Sequence, residues 1–148
     1  MRSFIDTNVL VYADAGDEPV KQARAVALIT RLRLAGEGVL SVQVLQEYAN
    51  VALRKLALPV ALLRTRLDFY AGFEVVPTTP QLIQAALDLH LTHGLSFYDA
   101  LIAQAAMVSG CARLCSEDFQ TGRRIGRLWV ENPFRDDAGP DAPPAPGQ

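Results

Sequence analysis

Ser3-Phe4-Ile5-Asp6-Thr7-Asn8 begins with a short uncharged, mostly apolar run and then turns polar at once, through an acid, a hydroxyl and an amide. A brief run of this kind reads as a buried strand that ends at a polar loop. Val39-Leu40, Phe73 to Val76, Ala112 to Cys115 and Leu128-Trp129-Val130 repeat the pattern. Strands buried on both faces, with no regular polar alternation, belong to parallel sheets covered by helices.

The intervening segments read as those helices. Pro19 to Leu34 places Val20, Ala23, Ala27, Leu28, Leu32 and Leu34 on an apolar side, and Gly36 and Gly38 then break the pattern. Ser41 can cap a helix over about Val42 to Leu56. Leu45, Tyr48, Ala49, Ala52 and Leu56 line one face of it, beside a polar stripe of Gln43, Gln46, Glu47, Asn50 and Arg54. Pro59 starts a helix reaching Tyr70. Thr79-Pro80 starts another to about His90, with proline at the first helical position. Ser96 opens a nearly apolar helix to Val108, and Gly110 follows it. Strands alternating with helices predict one α/β domain, its mainly parallel sheet of about five strands flanked by helices.

The chain has 148 residues, enough for one ordinary domain. It carries 14 bases against 16 acids, and three of the acids lie in the last stretch, from Asp136 to Gln148, which has no base. Without that stretch the balance is near +1, which neither demands nor excludes a nucleic-acid partner. The stretch is rich in proline, alanine and glycine and lacks aromatic residues, so residues 136–148 read as a disordered acidic tail. Cys111 and Cys115 are the only cysteines, and close spacing argues against a disulfide. Nothing at the N-terminus resembles an export signal, and no apolar run approaches the ~20 residues of a membrane span. A cytoplasmic, reduced protein with no membrane partner is expected.

The chemistry rests on where certain acids stand. Open α/β sheets hold their ligands beyond the carboxyl ends of the strands. Asp6 follows the first strand and Asp118 lies just past the fourth, so both should project from one edge. Asp99 sits in the first turn of a helix made chiefly of Ala, Leu, Ile, Met and Val. A carboxylate there is costly unless compensated. A helix N-terminus contributes only ~0.3–1 kcal/mol, and a bound cation contributes far more. Asp99 also fits the acid of a capping box, and Glu47 also fits a solvated helix residue. Spacing alone does not separate Asp118 from Glu117. Converging carboxylates call for a hard divalent cation, and Mg2+ suits carboxylates, waters and a phosphate. Metal-assisted phosphodiester hydrolysis by an activated water follows.

The segments D-T-N at Asp6 to Asn8, Q-E-Y-A-N around Glu47, F-Y-D-A-L-I-A around Asp99 and S-E-D-F at Ser116 to Phe119 resemble the PIN-domain family, most closely its VapC-type toxins of bacterial toxin–antitoxin pairs. The likeness runs from about Met1 to Phe134 and includes N-P-F at Asn132 to Phe134. It implies a three-layer PIN-like nuclease domain over residues 1–135. It also implies that Asp6, Glu47, Asp99 and Asp118 are the catalytic acids holding Mg2+ or Mn2+, with Thr7, Asn8 and Ser116 as hydrogen-bonding neighbours. The family places a hydroxyl residue two positions before its fourth acid, which selects Asp118 over Glu117. The implied activity is that of an endoribonuclease, a homodimer held inactive by a small VapB-like antitoxin. Arg123, Arg124 and Arg127 follow Asp118 and either line an RNA path or are simply solvated.

Two other readings compete. In a magnesium-dependent phosphatase or phosphotransfer domain of the haloacid-dehalogenase kind, a second aspartate stands two residues after the first, where this chain has Asn8. A catalytically silent RNA-binding or regulatory module would keep the fold without turnover. His90 and His93 with Cys111 and Cys115 lack zinc-finger spacing and order. Gly36-Glu37-Gly38 lacks the third glycine of a dinucleotide loop. Trp129 and Phe134 are expected in packing rather than in base stacking.

Overall fold

In chain order the elements are β1 (Ser3–Ile5), α1 (Thr7–Ala13), α2 (Pro19–Ala35), β2 (Gly38–Ser41), α3 (Val42–Arg54), α4 (Val60–Tyr70), β3 (Glu74–Val76), α5 (Pro80–His93), α6 (Phe97–Val108), β4 (Arg113–Cys115), β5 (Arg124–Ile125) and β6 (Leu128–Glu131). They come from a computed structural model that describes residues 1–136. The tail expected over residues 136–148 lies outside the described residues except for Asp136, whose carboxylate receives Arg24 Nη2 at 2.8 Å. No helix among the described residues is long and apolar enough to cross a membrane.

The strands form one six-stranded sheet in the order β3-β2-β1-β4-β6-β5. Every pairing is parallel except β5 with β6. From β1 the chain steps outward to β2 and β3, then crosses back to place β4 on the other side of β1. Right-handed crossovers therefore put α1 to α4 on one face and α5 with α6 on the other. The contacts agree: α1 packs on α2 and α3, α3 on α4, and α5 on α6, which lies across β2, β4 and β6. The strand order reverses between β1 and β4, and a crevice opens at such a switch point beyond the carboxyl ends of the strands.

Phe4, Ile5, Val39, Leu40 and Leu114 form the fully buried centre of the sheet, and Val9, Leu10, Leu32 and Tyr48 close over it. Each large side chain buried in this way stabilises the fold by roughly 1.5–3 kcal/mol. The strand at Ala112 to Cys115 also buries a charge. Arg113 is 1% exposed and donates from Nε to Ser3 Oγ at 2.9 Å and from Nη1 to Glu131 Oε2 at 3.1 Å. Cys111 and Cys115 are buried free thiols. Trp129 is buried, and Phe134 packs edge-on against Tyr12 with ring centroids 4.8 Å apart.

The structure departs from the sequence expectations in three places. The polar residues after β1 do not form a loop, because Thr7 to Ala13 is helical. Val9, Val11 and Tyr12 favour extended backbone locally, but burial of Val9 and Leu10 overrides that preference. In α2 the buried stripe is Ala25, Leu28, Ile29 and Leu32, at i, i+3, i+4 and i+7, whereas Val20, Ala23, Ala27 and Leu34 are exposed. Finally, β5 adds a sixth strand, a two-residue antiparallel edge too short to carry any periodicity.

Candidate active site

The crevice between β1 and β4 is built by the first residues beyond each strand. Asp6 leaves β1 with extended backbone (φ −75°, ψ 160°) and caps α1, its Oδ1 accepting from Thr7 N at 2.7 Å. Ser116, the first residue after β4, is fully buried and donates from Oγ to Asp6 Oδ2 at 2.7 Å. The same Oγ accepts from the Asp118 backbone N–H at 3.1 Å. One hydroxyl thus links two acids that stand 112 positions apart in the chain. Asn8 spans the crevice as well, its Nδ2 lying 3.0 Å from Asp118 Oδ2 and 3.4 Å from both Asp6 Oδ2 and Ser116 Oγ.

Glu47 enters from the second turn of α3, which begins directly after β2 and is capped by Ser41 Oγ accepting from Val44 N at 3.2 Å. Thr7 Oγ1 donates to Glu47 Oε2 at 2.7 Å, and Gln43 Nε2 donates to Glu47 Oε1 at 2.8 Å. Gln43 is buried, and it also reaches the Tyr98 carbonyl at 3.3 Å, tying α3 to the first turn of α6. Asp99 occupies that turn, behind the Ser96 cap.

Electrostatics joins the four acids. Burial pushes the Asp6 carboxyl up to about 7, and the nearby charges of Asp118 and Glu47 add to the rise, while Ser116 and the Thr7 amide oppose it. Burial also raises Asp99; Ser96 offsets part of that, and Asp118 and Glu47 again push upward. The described hydrogen-bond partners of Asp6 are a backbone amide, a hydroxyl and a side-chain amide, none of them charged.

Glu117, which spacing left level with Asp118, faces elsewhere. Its carboxylate receives Tyr12 Oη and Lys21 Nζ, each at 2.7 Å, and Lys21 Nζ also lies 3.2 Å from Tyr12 Oη. Burial alone would raise the Glu117 carboxyl, but Lys21 and Tyr12 outweigh it and hold it below the usual carboxylate range. Asp118 is therefore the member of the pair that faces the other acids.

The three arginines after Asp118 separate in space. Arg123 donates from Nη2 to the His93 carbonyl, near the start of α6. Arg124 is opposite Trp129, which pairs with Arg113, the first residue of β4. Arg127 lies in the turn ahead of β6, at the amino end of the strands. Arg124 and Arg127 are exposed, but the hairpin carries their backbone toward the sheet edge opposite Asp6 and Asp118. Nearness in sequence to Asp118 is thus not nearness in space for these two. His90 is exposed with Nδ1 on the Leu95 carbonyl at 2.6 Å, and Cys111 and Cys115 are buried.

Comparison with known proteins decides what carries this arrangement. The sequence profile of the PIN domain matches residues 3–126. The chain belongs to the PIN-domain family. No curated protein matches its sequence. Among solved structures, this PIN domain is similar to a chain of a toxin–antitoxin complex from Klebsiella pneumoniae, with TM-score 0.64 and 16% identity over 88% of this chain and 97% of the other. It is also similar to VapC20 of Mycobacterium tuberculosis, described as a sarcin–ricin loop cleaving toxin, with TM-score 0.61 and 20% identity over 78% and 91% of the two chains. VapBC2 from Rickettsia felis, bound to a DNA fragment from its promoter, gives TM-score 0.60 and 21% identity over 89% and 98%. At these identities the likeness establishes the fold.

PIN domains are in general dependent on a divalent metal. The donor set here fits that chemistry, with four hard carboxylates around a buried, uncharged hydrogen-bond network and no sulfur or imidazole among them. Among the described residues no three Asp, Glu, His or Cys side chains are arranged to hold an ion together. Glu47 is held by Thr7 and Gln43, and Asp118 by Asn8, so each would turn from those partners to reach a shared ion.

Gln43, Tyr12 and Lys21 are the site residues that the sequence reading did not pick out. Gln43 could have been found from its position four residues, one helical turn, before Glu47. Nothing in the sequence marks Tyr12 and Lys21, which meet Glu117 only in the folded chain.

Proposed function

We propose that this PIN domain is a VapC-like endoribonuclease, dependent on Mg2+ or Mn2+, that hydrolyses RNA phosphodiester bonds. The observation that carries the reading is Asp6, a buried carboxyl raised to about 7 beside two further acids, with only neutral hydrogen-bond partners described. Such a group resists ionisation until a cation joins it. Asp6 and Asp99, with Glu47 and Asp118, would hold that cation. When bound, it supplies Lewis-acid stabilisation of the phosphate charge and activates water.

The chain's own residues do the rest. Ser116 and the Thr7 amide fix both oxygens of Asp6. Thr7 and Gln43 orient Glu47, and Asn8 holds Asp118 across the crevice. The toxin–antitoxin neighbours support silencing by a small VapB-like antitoxin, and the resemblance to VapC-type toxins implies that the protein would act as a homodimer. Arg123 is the arginine on the side of the acids. Arg124 and Arg127 would serve RNA that extends past the sheet edge rather than the scissile phosphate. Asn8 spends its amide on Asp6 and Asp118 and offers no second carboxylate for phosphotransfer.

The test is cleavage of a mixed RNA panel by the purified protein in Mn2+ or Mg2+, with 5′-end sequencing of the products. Asp6→Asn and Asp99→Asn should each lower the rate roughly a hundredfold or more, equivalent to about 2.7 kcal/mol of transition-state stabilisation. Undiminished activity in both folded variants, or full activity in excess chelator, would overturn the proposal.

A further inference from the structure

Asp118 is exposed and sits on an irregular segment, Ser116 to Thr121, between β4 and β5. A carboxylate placed like this loses conformational entropy when it is held in one orientation, so something must fix its backbone. Asn8 and Ser116 fix it on the crevice side. On the other side, Glu117 is gripped by Tyr12 from α1 and Lys21 from α2. Lys21 Nζ lies 4.6 Å from the Tyr12 ring centroid and 5.8 Å from that of Phe134, so aromatic faces hold the cation where it meets Glu117. The Glu117 backbone N–H also reaches Asn8 Oδ1 at 3.3 Å, so Asn8 contacts both neighbouring acids.

We propose that the Lys21–Glu117–Tyr12 clasp is a positioning device, holding the 116–121 segment so that Asp118 faces the acidic crevice while Glu117 is kept out of it. Two consequences follow from the geometry. The clasp anchors the loop to both helices that follow β1, and so to Asp6 at the start of α1. It also pairs a fifth carboxylate with a cation, so Glu117 adds little to the repulsion among the four acids. The inference rests on the metal-site reading above, but it concerns residues that reading does not use.

The decisive variant is the double substitution Lys21→Met with Glu117→Gln, which removes one charge of each sign and leaves no stray carboxylate to compete for the ion. Two quantities are compared with the parent: Mn2+ affinity by titration calorimetry, and amide hydrogen exchange of residues 116–121 without metal. Mn2+ affinity should fall roughly three- to tenfold, the scale of losing one or two partly exposed charged hydrogen bonds. Exchange across 116–121 should quicken while the sheet stays protected. Lys21→Arg, which keeps the charge and a donor, should regain most of the affinity. Mn2+ binding by the parent, with affinity and exchange unchanged in the double variant, overturns the clasp alone. A parent that binds no Mn2+ overturns the metal-site reading, and the clasp's role with it.

Discussion

Asp6 performs two tasks whose electrostatic demands conflict. As the cap of α1 it accepts a backbone hydrogen bond, and as a buried acid among acids it resists losing its proton. The consequence for stability has a definite sign. In the unfolded chain Asp6 ionises near 3.8 and in the folded protein near 7, so between these values the folded state binds more protons. Stability of the metal-free protein should therefore fall as pH rises from about 4 to about 7, then level off. Asp6→Asn should flatten that slope and leave the metal-free protein more stable than the parent at pH 8 by roughly 1–3 kcal/mol. Urea unfolding across pH in excess chelator measures this, and a parent that gains stability from pH 4 to pH 7 would contradict it. At this scale the sequence singled out Asp6 and Asp99, because carboxylates beside apolar runs are conspicuous, whereas Glu47 and Asp118 rest on the family resemblance. It did not disclose Tyr12 or Lys21, whose partner Glu117 lies far along the chain, and Gln43, although one helical turn from Glu47, looks like any other residue of the polar stripe of α3.

Among the elements, β2 depends on an approach that only glycine permits. A Cβ at Gly38 would lie 2.5 Å from Phe73 Cε1 and 3.2 Å from Leu32 Cβ. Phe73 cannot withdraw easily, since its ring is buried beside Phe69 and Tyr70 at centroid distances of 5.7 and 6.2 Å. Gly38→Ala should cost about 1–3 kcal/mol, the usual range for overpacking, read as a lower denaturant midpoint with an unchanged slope. The sequence marked Gly38 only as a helix breaker, although Gly36 alone takes the left-handed cap (φ 69°). Most strands and helices were legible because apolar runs and caps such as Ser41 and Thr79 are local signals. The elements that escaped are those decided by tertiary contact: α1, where burial overrides extended preference; the buried stripe of α2, which alanines and end residues blur; and β5, which exists only as a partner to β6.

For the whole molecule, the binding of a cation should couple to folding. An ion that binds only the folded state at a hundred times its dissociation constant adds about 2.7 kcal/mol of stability. Mn2+ should accordingly raise the melting temperature by roughly 5–10 °C, reversibly with chelator, and the rise should vanish in Asp6→Asn and Asp99→Asn. Calorimetric scans with and without metal check this, and an equal rise in parent and variants would place the ion elsewhere. The topology that unites the acids was legible as a parallel α/β sheet. The strand order was not, because no local signal announces that β4 crosses back beside β1.

That crossing has a temporal consequence. The strand beside β1 on its far side is supplied by residues 113–115, late in the chain, and Asp118 comes later still. A ribosome making this protein releases Asp6, Glu47 and Asp99 first, with no neighbour for half of the central strand. The acidic crevice therefore cannot close on a nascent chain until β4 and Asp118 have emerged, whatever the order in which the other three acids fold.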